Sequence, residues 1–350
     1  MLSTSNGDLA ARWTRLRGEQ PALRIRDAAA TLGVGEAELV ALGAGRTATP
    51  LTADWRALLN DMPSVGRVMC LTRNEHCVHE RHGRFDDVQV SGPHGVVLGP
   101  DIDLRLFLSN WRYGFAVREP LKNGERLSLQ FFDASGEAVH KIYATDETDR
   151  KAFDALVTRY RAEAPTAMEI APPAPDVADR PDGEIYLEGL RMAWRAMKDT
   201  HEFFGMLGKF KVGRVQALRL VGEEFARELP ARALRSAIEA ASADGTPIMI
   251  FVGNRGCIQI HTGPVKRLVE THGWFNILDP TFNLHLRDHG VVRVFSVRKP
   301  TEDGIVTSIE AFDERKRNIL LMFGERKPGK PELTQWRALV ARIEKQAASQ

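Results

Sequence analysis

The chain has 350 residues, more than one domain ordinarily holds, so two domains are the starting expectation. Hydrophobic residues make up 43% and charged residues 27%, the balance of a globular protein, and a net charge of +2 supplies no global positive field for nucleic acid or an anionic membrane. Cys70, Cys77 and Cys257 are too few for a disulfide framework and lack the paired spacing of a structural zinc site.

The opening MLSTSNGDLAARWTRLRGEQ is polar and has no apolar core of signal-peptide length, and no later run reaches a membrane span. The expected location is therefore the cytoplasm, without membrane insertion. Residues 8 to 60 carry helical signals: Leu9, Trp13 and Leu16 recur at helical spacing, and the Asp27 to Leu32 run meets Gly33, a suitable C-terminal stop. From Gly66 the apolar and β-branched residues come in short runs broken by Gly, Pro, Asn and Asp, as in VGRVMCLTR, FDDVQVSG, YGFAVREP and RLSLQFFDASG, which predicts an antiparallel sheet with tight turns. Residues 149 to 161 return to a helical pattern. The proline-rich stretch 162 to 183 reads as an extended, semi-rigid linker. After it come helices to about Ala241, strands from Pro247 to Phe323 and a closing helix around Leu333 to Ile343.

The second half copies the first. Residues 98 to 133 laid without gaps on 278 to 313 agree at 12 of 36 positions, against about two expected from ordinary residue usage. Among the matches are Pro100 with Pro280, Phe115 with Phe295, Arg118 with Arg298 and Gly124 with Gly304, and the same offset pairs Asn74 with Asn254 and Cys77 with Cys257. The predicted fold is α+β: an N-terminal repeat over 1–161, a linker over 162–183 and a C-terminal repeat over 184–350. Each repeat carries a large antiparallel sheet with flanking helices, and a cleft is expected between the halves. Arg105 pairs with His285 across the repeat, while His201 aligns near Gln20 and Pro21, with no histidine nearby in the first copy. A shared site should then be single and asymmetric.

His201 belongs to the run from Asp182 to Arg214, where Leu187, Leu190, Trp194, Met197, Phe204 and Leu207 fall at helical spacing and would form one stripe on a continuous helix. On that stripe His201 reads either as a core or cap-adjacent histidine bonded to backbone or as a metal or haem ligand in an apolar pocket. His76, Cys77, His79 and His82 look metal-like, but a strand sends His79 to the opposite face, and a polar sheet face with solvent-exposed histidines is the simpler expectation. His272, His285 and His289 are scattered. Arg214, Lys299 and Arg326 are each readable as surface cations, yet an apolar slot, a nitrogen ligand and a few cations are also what a porphyrin with two propionates requires. No dinucleotide or phosphate-loop fingerprint, zinc-protease helix or nucleophile elbow competes, and no CxxCH attaches haem covalently.

The run DTHEFFGMLGKFKVGR, with the tandem repeat, DLRLFLSNW and FGERKPG, resembles the hemin-degrading factor family of bacterial haem-uptake operons, the HemS/ChuS/PhuS type, over essentially the whole chain. The resemblance implies two similar halves binding one haem b, with His201 as proximal iron ligand, Arg105 on the distal side, and Arg214, Lys299 and Arg326 as propionate or rim contacts. Where relatives offer polar or tyrosine side chains, this chain has Leu320 and Leu321. Two functions share these residues. One is a haem carrier that receives haem from an inner-membrane transporter and hands it to an acceptor, such as a haem oxygenase. The other is an oxygenase-like enzyme that opens the porphyrin with Arg105 as distal donor and electrons from an external donor, since no flavin or nicotinamide fingerprint is present. A scaffold or regulator without haem chemistry is the third class.

Overall fold

Along Gly66–Arg73 buried residues alternate with half-buried ones, Val68, Cys70 and Thr72 inward and Met69 and Leu71 on the other face, so the segment forms strand β2 by the two-residue period of an extended chain. The computed structural model describes residues 6–163, 168–176, 178–327 and 329–349. In the first copy helices α1 (Asn6–Glu19), α2 (Ile25–Leu32) and α3 (Glu36–Ala41), strand β1 (Ala48–Pro50) and helix α4 (Trp55–Asp61) lead into β2. Then follow β3 (Cys77–Gly83), β4 (Val88–Ser91), β5 (His94–Leu98), β6 (Asp103–Phe107), β7 (Tyr113–Leu121), β8 (Gly124–Phe132), β9 (Ala138–Thr148) and helix α5 (Arg150–Tyr160). The second copy has helices α6 (Leu187–Arg195), α7 (Glu202–Phe210) and α8 (Arg214–Leu220), strand β10 (Ala226–Leu229) and helix α9 (Ala233–Asp244). Its strands are β11 (Ile248–Gly253), β12 (Cys257–Gly263), β13 (Leu268–Thr271), β14 (Trp274–Leu278), β15 (Phe282–Leu286), β16 (Arg293–Thr301), β17 (Gly304–Phe312) and β18 (Asn318–Gly324), closed by α10 (Thr334–Ala348).

The expected α+β class is observed as two antiparallel nine-stranded sheets with flanking helices. Their orders are β1-β7-β8-β9-β2-β3-β15-β14-β13 and β10-β16-β17-β18-β11-β12-β6-β5-β4, so each sheet takes six strands from one copy and three from the other. Strands β3, β4, β5, β7 and β8 begin and end 180 residues before β12, β13, β14, β16 and β17, the offset that the aligned sequences required. Gly124 and Gly304 close equivalent hairpins at φ 104° and 109°, a region that a residue with a Cβ avoids. Gly33 ends α2 as expected, at φ 68° with its N–H reaching the carbonyls of Ala29 and Ala30.

The chain divides into two units, one comprising the residues up to Thr72, Glu80–Ala174 and Asn254–Gln259, the other Arg73–His79, Pro175–Gly253 and Ile260 onward. The units thus follow the copies, except that each holds the hairpin tip of the other copy. In the second unit the Asn74 side chain accepts from the His76 and Cys77 N–H groups and donates to the carbonyls of Gly253 and Ile319. In the first, Asn254 accepts from the Gly256 and Cys257 N–H groups and donates to the Val139 carbonyl.

Within the first unit, one sheet face carrying Cys70, Leu129, Phe131 and Ile142 packs with Trp55, Leu58, Phe153 and Leu156 of α4 and α5, while Phe115, Val117 and Phe132 on the opposite face pack with Ala37 and Val40 of α3. In the second unit Ile250, Ile309 and Leu320 pack with Ile238 of α9 and Trp336 of α10. The opposite face, with Phe295, Val297 and Phe312, lies under Leu190 and Trp194 of α6, Leu207 of α7 and Leu218 of α8.

Three expectations need correction. The short edge strands β1 and β10 fall where only helix was expected; neither shows a periodic signal, and each exists by pairing with β7 or β16. Residues 164–167 and 177 of the expected linker lie outside the described residues; the described ones from 168 to 181 hold no helix or strand, and at their start Met168 and Ile170 pack on the first unit's core while the Glu169 carbonyl accepts from the Tyr113 hydroxyl at 2.7 Å. His79 is not on a solvent-exposed face. It is fully buried with its ring 4.9 Å from that of Phe282, because β3 lies in mid-sheet between β2 and β15. The third correction concerns the helix that carries His201.

Candidate functional site

The run Asp182 to Arg214 is not one continuous helix. Buried Trp194 anchors α6, donating its indole N–H to the Arg298 carbonyl at 2.8 Å and packing against Phe203 at 5.1 Å, after which the chain turns through residues 196–201 and restarts as α7. The turn is chemical. One Asp199 carboxylate oxygen accepts from the His201 backbone N–H at 2.8 Å and from the His201 ring Nδ1 at 2.6 Å, a local bond by which aspartate diverts a backbone from helix.

The interruption resets the helical phase. Leu190, Trp194 and Met197 are buried as expected, but after the turn Phe203, Met206 and Leu207 face inward while Phe204 is 64% exposed. His201 goes with Phe204, not with the core, and its side chain is 89% exposed. The core alternative therefore fails, while the cap-adjacent one holds in position only: His201 is the N-cap residue of α7, but its ring bonds the Asp199 carboxylate and not backbone. A carboxylate only accepts, so the proton of the bridge resides on Nδ1 and the Nε2 lone pair is available. The His201 N–H first, and then the His201 ring and the Arg326 charge, draw the Asp199 carboxyl below its usual range against slight burial. Arg326, half-buried just after β18, is thereby placed in the electrostatic reach of Asp199.

Beneath α7 is a charge cluster that sequence reasoning reached only in part. Arg214 opens α8, and its guanidinium lies 5.1 Å from the ring centre of Phe203 and 5.4 Å from that of Phe204. Its Nε and Nη2 donate at 2.9 and 2.8 Å to Glu310, whose other oxygen accepts from Lys299 Nζ at 2.6 Å and from Ser308 Oγ at 3.0 Å. Lys299 is thus buried under Phe203 at 4.4 Å and ion-paired, not on an open rim. Burial opposes ionisation of Glu310, but Arg214 and Lys299 outweigh it and hold the carboxyl at about 2. Burial, together with the nearby Arg214 charge, lowers Lys299 despite Glu310. Two cations against one anion leave the cluster with one net positive charge in a poorly hydrated place, which favours an approaching anion. Glu310 was missed because a lone glutamate in a strand gives no periodic signal; the cue was that Gln130 occupies its place in the first copy.

The same sheet face continues as an apolar shelf. Met249 and Phe251 of β11 pair with Phe323 and Leu321 of β18, Leu321 pairs with Glu310, and all four apolar residues are only half-buried. Phe251 and Phe323 meet edge to face at 5.1 Å. Leu320 points to the opposite, fully buried face, so of the two leucines only Leu321 belongs to the shelf. A planar apolar body bearing anionic groups and needing a nitrogen ligand matches this donor set: exposed Nε2, half-buried shelf, net positive cluster. In the first unit Arg105 sits on β6 opposite Val96, ion-paired to Asp103 and donating to the Leu104 carbonyl at 3.1 Å. Its counterpart His285 bonds the side chain of Asn276 at 2.7 Å.

Duplicated α+β architecture, with a surface imidazole at the start of one helix and an apolar shelf and a cation cluster on the sheet face against which that helix packs, defines a class of tandem-repeat ligand-binding proteins. Within it, the model of the haemin-degrading HemS.ChuX domain matches residues 33–160 and 211–343, and the chain belongs to that family. It is 38% identical over 339 residues to the hemin transport protein HmuS of Yersinia pestis, covering 97% of this chain and 98% of that protein. The crystal structure of holo-PhuS, a heme-binding protein from Pseudomonas aeruginosa, superposes with a TM-score of 0.93 at 49% identity, over 96% of this chain and 98% of that one. The heme degrading enzyme ChuS of Escherichia coli O157:H7 gives 0.90 at 39% identity, over 97% and 99%.

Proposed function

We propose that this protein binds one haem b per chain through His201 Nε2 and passes it on, as a cytoplasmic carrier in bacterial haem-iron uptake. The observation that carries the reading is the solvent-facing imidazole, 89% exposed yet held by Asp199, on a helix that packs against the sheet face bearing Met249, Phe251, Leu321 and Phe323. The relatives' descriptions as a hemin transport protein and a heme-binding protein support it. No helix among the described residues is long and apolar enough to cross a membrane.

Bound haem would supply an iron that takes a nitrogen ligand and changes oxidation state. The chain's own residues do the rest. His201 would ligate it; Phe204 and the shelf would offer apolar contact; Arg214, Arg326 and the positive charge behind Lys299 would meet the propionates, with Lys299 acting through the cluster and not by direct reach. Arg105 is assigned the distal donor role that the resemblance implies. An inner-membrane transporter would supply the haem and an acceptor would receive it, for which an exposed ligand offers an open exchange route.

Haem degradation is the second reading, favoured by the family's description and by the relative described as a heme degrading enzyme. It needs an external electron donor. Hemin added to the purified protein should give a Soret band that His201→Ala loses, with binding weakened at least about tenfold; an unchanged band and affinity would remove His201 from the role. Supplying an electron donor with catalase and assaying carbon monoxide and a linear tetrapyrrole separates the two readings: product that persists with catalase establishes enzymatic opening, and its absence leaves the carrier.

A further inference from the structure

We propose that Asp199 is a positioning residue for His201, fixing which ring nitrogen meets the iron and strengthening its donation, so that the protein holds ferric haem in preference to ferrous. The inference rests on the haem reading above and gives Asp199, which there only holds the ring, a role in the ligation.

The geometry is a short closed clamp. A single Asp199 oxygen accepts from both the His201 N–H at 2.8 Å and the ring Nδ1 at 2.6 Å, across a span of three residues. Among the described residues nothing from the core holds the ring, whose side chain is 89% exposed; without the clamp the imidazole would sample its rotamers and both tautomers freely. With it, Nδ1 carries the proton and Nε2 points its lone pair away from the carboxylate. A carboxylate behind a ligating imidazole raises the basicity of the other nitrogen. A stronger anionic donor favours the higher oxidation state of the metal, one of the levers by which a protein sets a haem potential. Asp199 is itself 60% exposed, so water competes for the bridge in the free protein; a ligand laid over His201 excludes that water and strengthens the bridge where it acts. The Arg326 charge also faces Asp199 and tempers its donation. In the first copy the aligned positions hold Glu19 and Pro21, so the clamp is confined to the second copy.

The test compares Asp199→Asn, Asp199→Glu and His201→Ala in the full chain with hemin as probe. Asparagine keeps an oxygen for the His201 N–H, so the helix start and the thermal midpoint of the ligand-free protein should match the parent. Ferric hemin affinity should fall about tenfold, the lower end for loss of an outer-shell partner. If ferrous affinity is unchanged, that tenfold equals a midpoint potential higher by about 59 mV for one electron. The iron–imidazole stretching band of the ferrous form should move to lower frequency, which a purely structural role would not produce, and Asp199→Glu should recover part of both changes. Parental potential and stretching band in Asp199→Asn, with binding lost in His201→Ala, would refute the Asp199 role alone. Parental Soret band and affinity in His201→Ala would refute the haem reading and the clamp together.

Discussion

Equivalent faces of the two copies carry different chemistry on one frame. On the face bearing the apolar shelf, Ser128 and Gln130 of the first copy form a neutral amide-to-hydroxyl bond at 3.0 Å, where Ser308 and Glu310 of the second sit in a buried cluster with Arg214 and Lys299. On the opposite face the asymmetry reverses. Cys70, Thr72 and His140 of the first copy stand where the second has Ile250, Val252 and Leu320, and in the first unit Thr72 bonds His140 Nδ1 at 2.9 Å and contacts Cys257 Sγ at 3.4 Å. Duplication therefore preserved register and turns while the polar groups moved to opposite sides. The side that gained charge is the one beneath His201.

The largest expected effect tests whether Glu310 is bound to that charge. Glu310→Ala leaves Lys299 and Arg214 buried without their anion and should cost about 3–5 kcal/mol in urea unfolding, while Gln130→Ala removes a neutral bond and should cost about 1–2 kcal/mol. Equal losses would mean that the cluster behaves as a neutral pair.

Next comes pH. Burial lowers His140 to about 3 from an ordinary 6.5, so between those values the unfolded chain binds a proton that the folded chain refuses. Stability is unaffected above about 6.5 and is lost as pH falls from there towards about 3, by up to about 1.4 kcal/mol per pH unit from this group. His140→Leu, which installs the second copy's residue, should flatten that acid limb; an unchanged slope would show that His140 titrates normally.

The smallest effect concerns what the copies share. Asn74→Ala and Asn254→Ala each remove a side chain that closes a hairpin tip through half-buried bonds, and each should cost about 1–2 kcal/mol by chemical denaturation. Losses differing by more than about 1 kcal/mol would show that the two tips are no longer equivalent.

The α+β class, the duplication, its register and most strands were legible because alternation and turn residues are local, and because a second copy supplied an internal comparison. The same comparison contained the correction for His201: its aligned position near Gln20 and Pro21 follows the end of α1, so a break after α6 was already implied. Helical spacing alone carried the stripe straight through that break and put Phe204 where Phe203 belongs. Edge strands β1 and β10 left no signal, since their residues gain order only from a partner strand.

By itself the sequence determined that this chain has two copies of one frame, which residues lie inward along each strand, and that His201 is peculiar to the second copy. Tertiary structure decided the exchange of strands between sheets, the burial of His79 and Lys299, the Glu310 partnership and the outward turn of His201. Each of these depends on a partner far along the chain, or on a bond such as that of Asp199 competing with the helix, and the energies of such bonds are set by burial that no local pattern records.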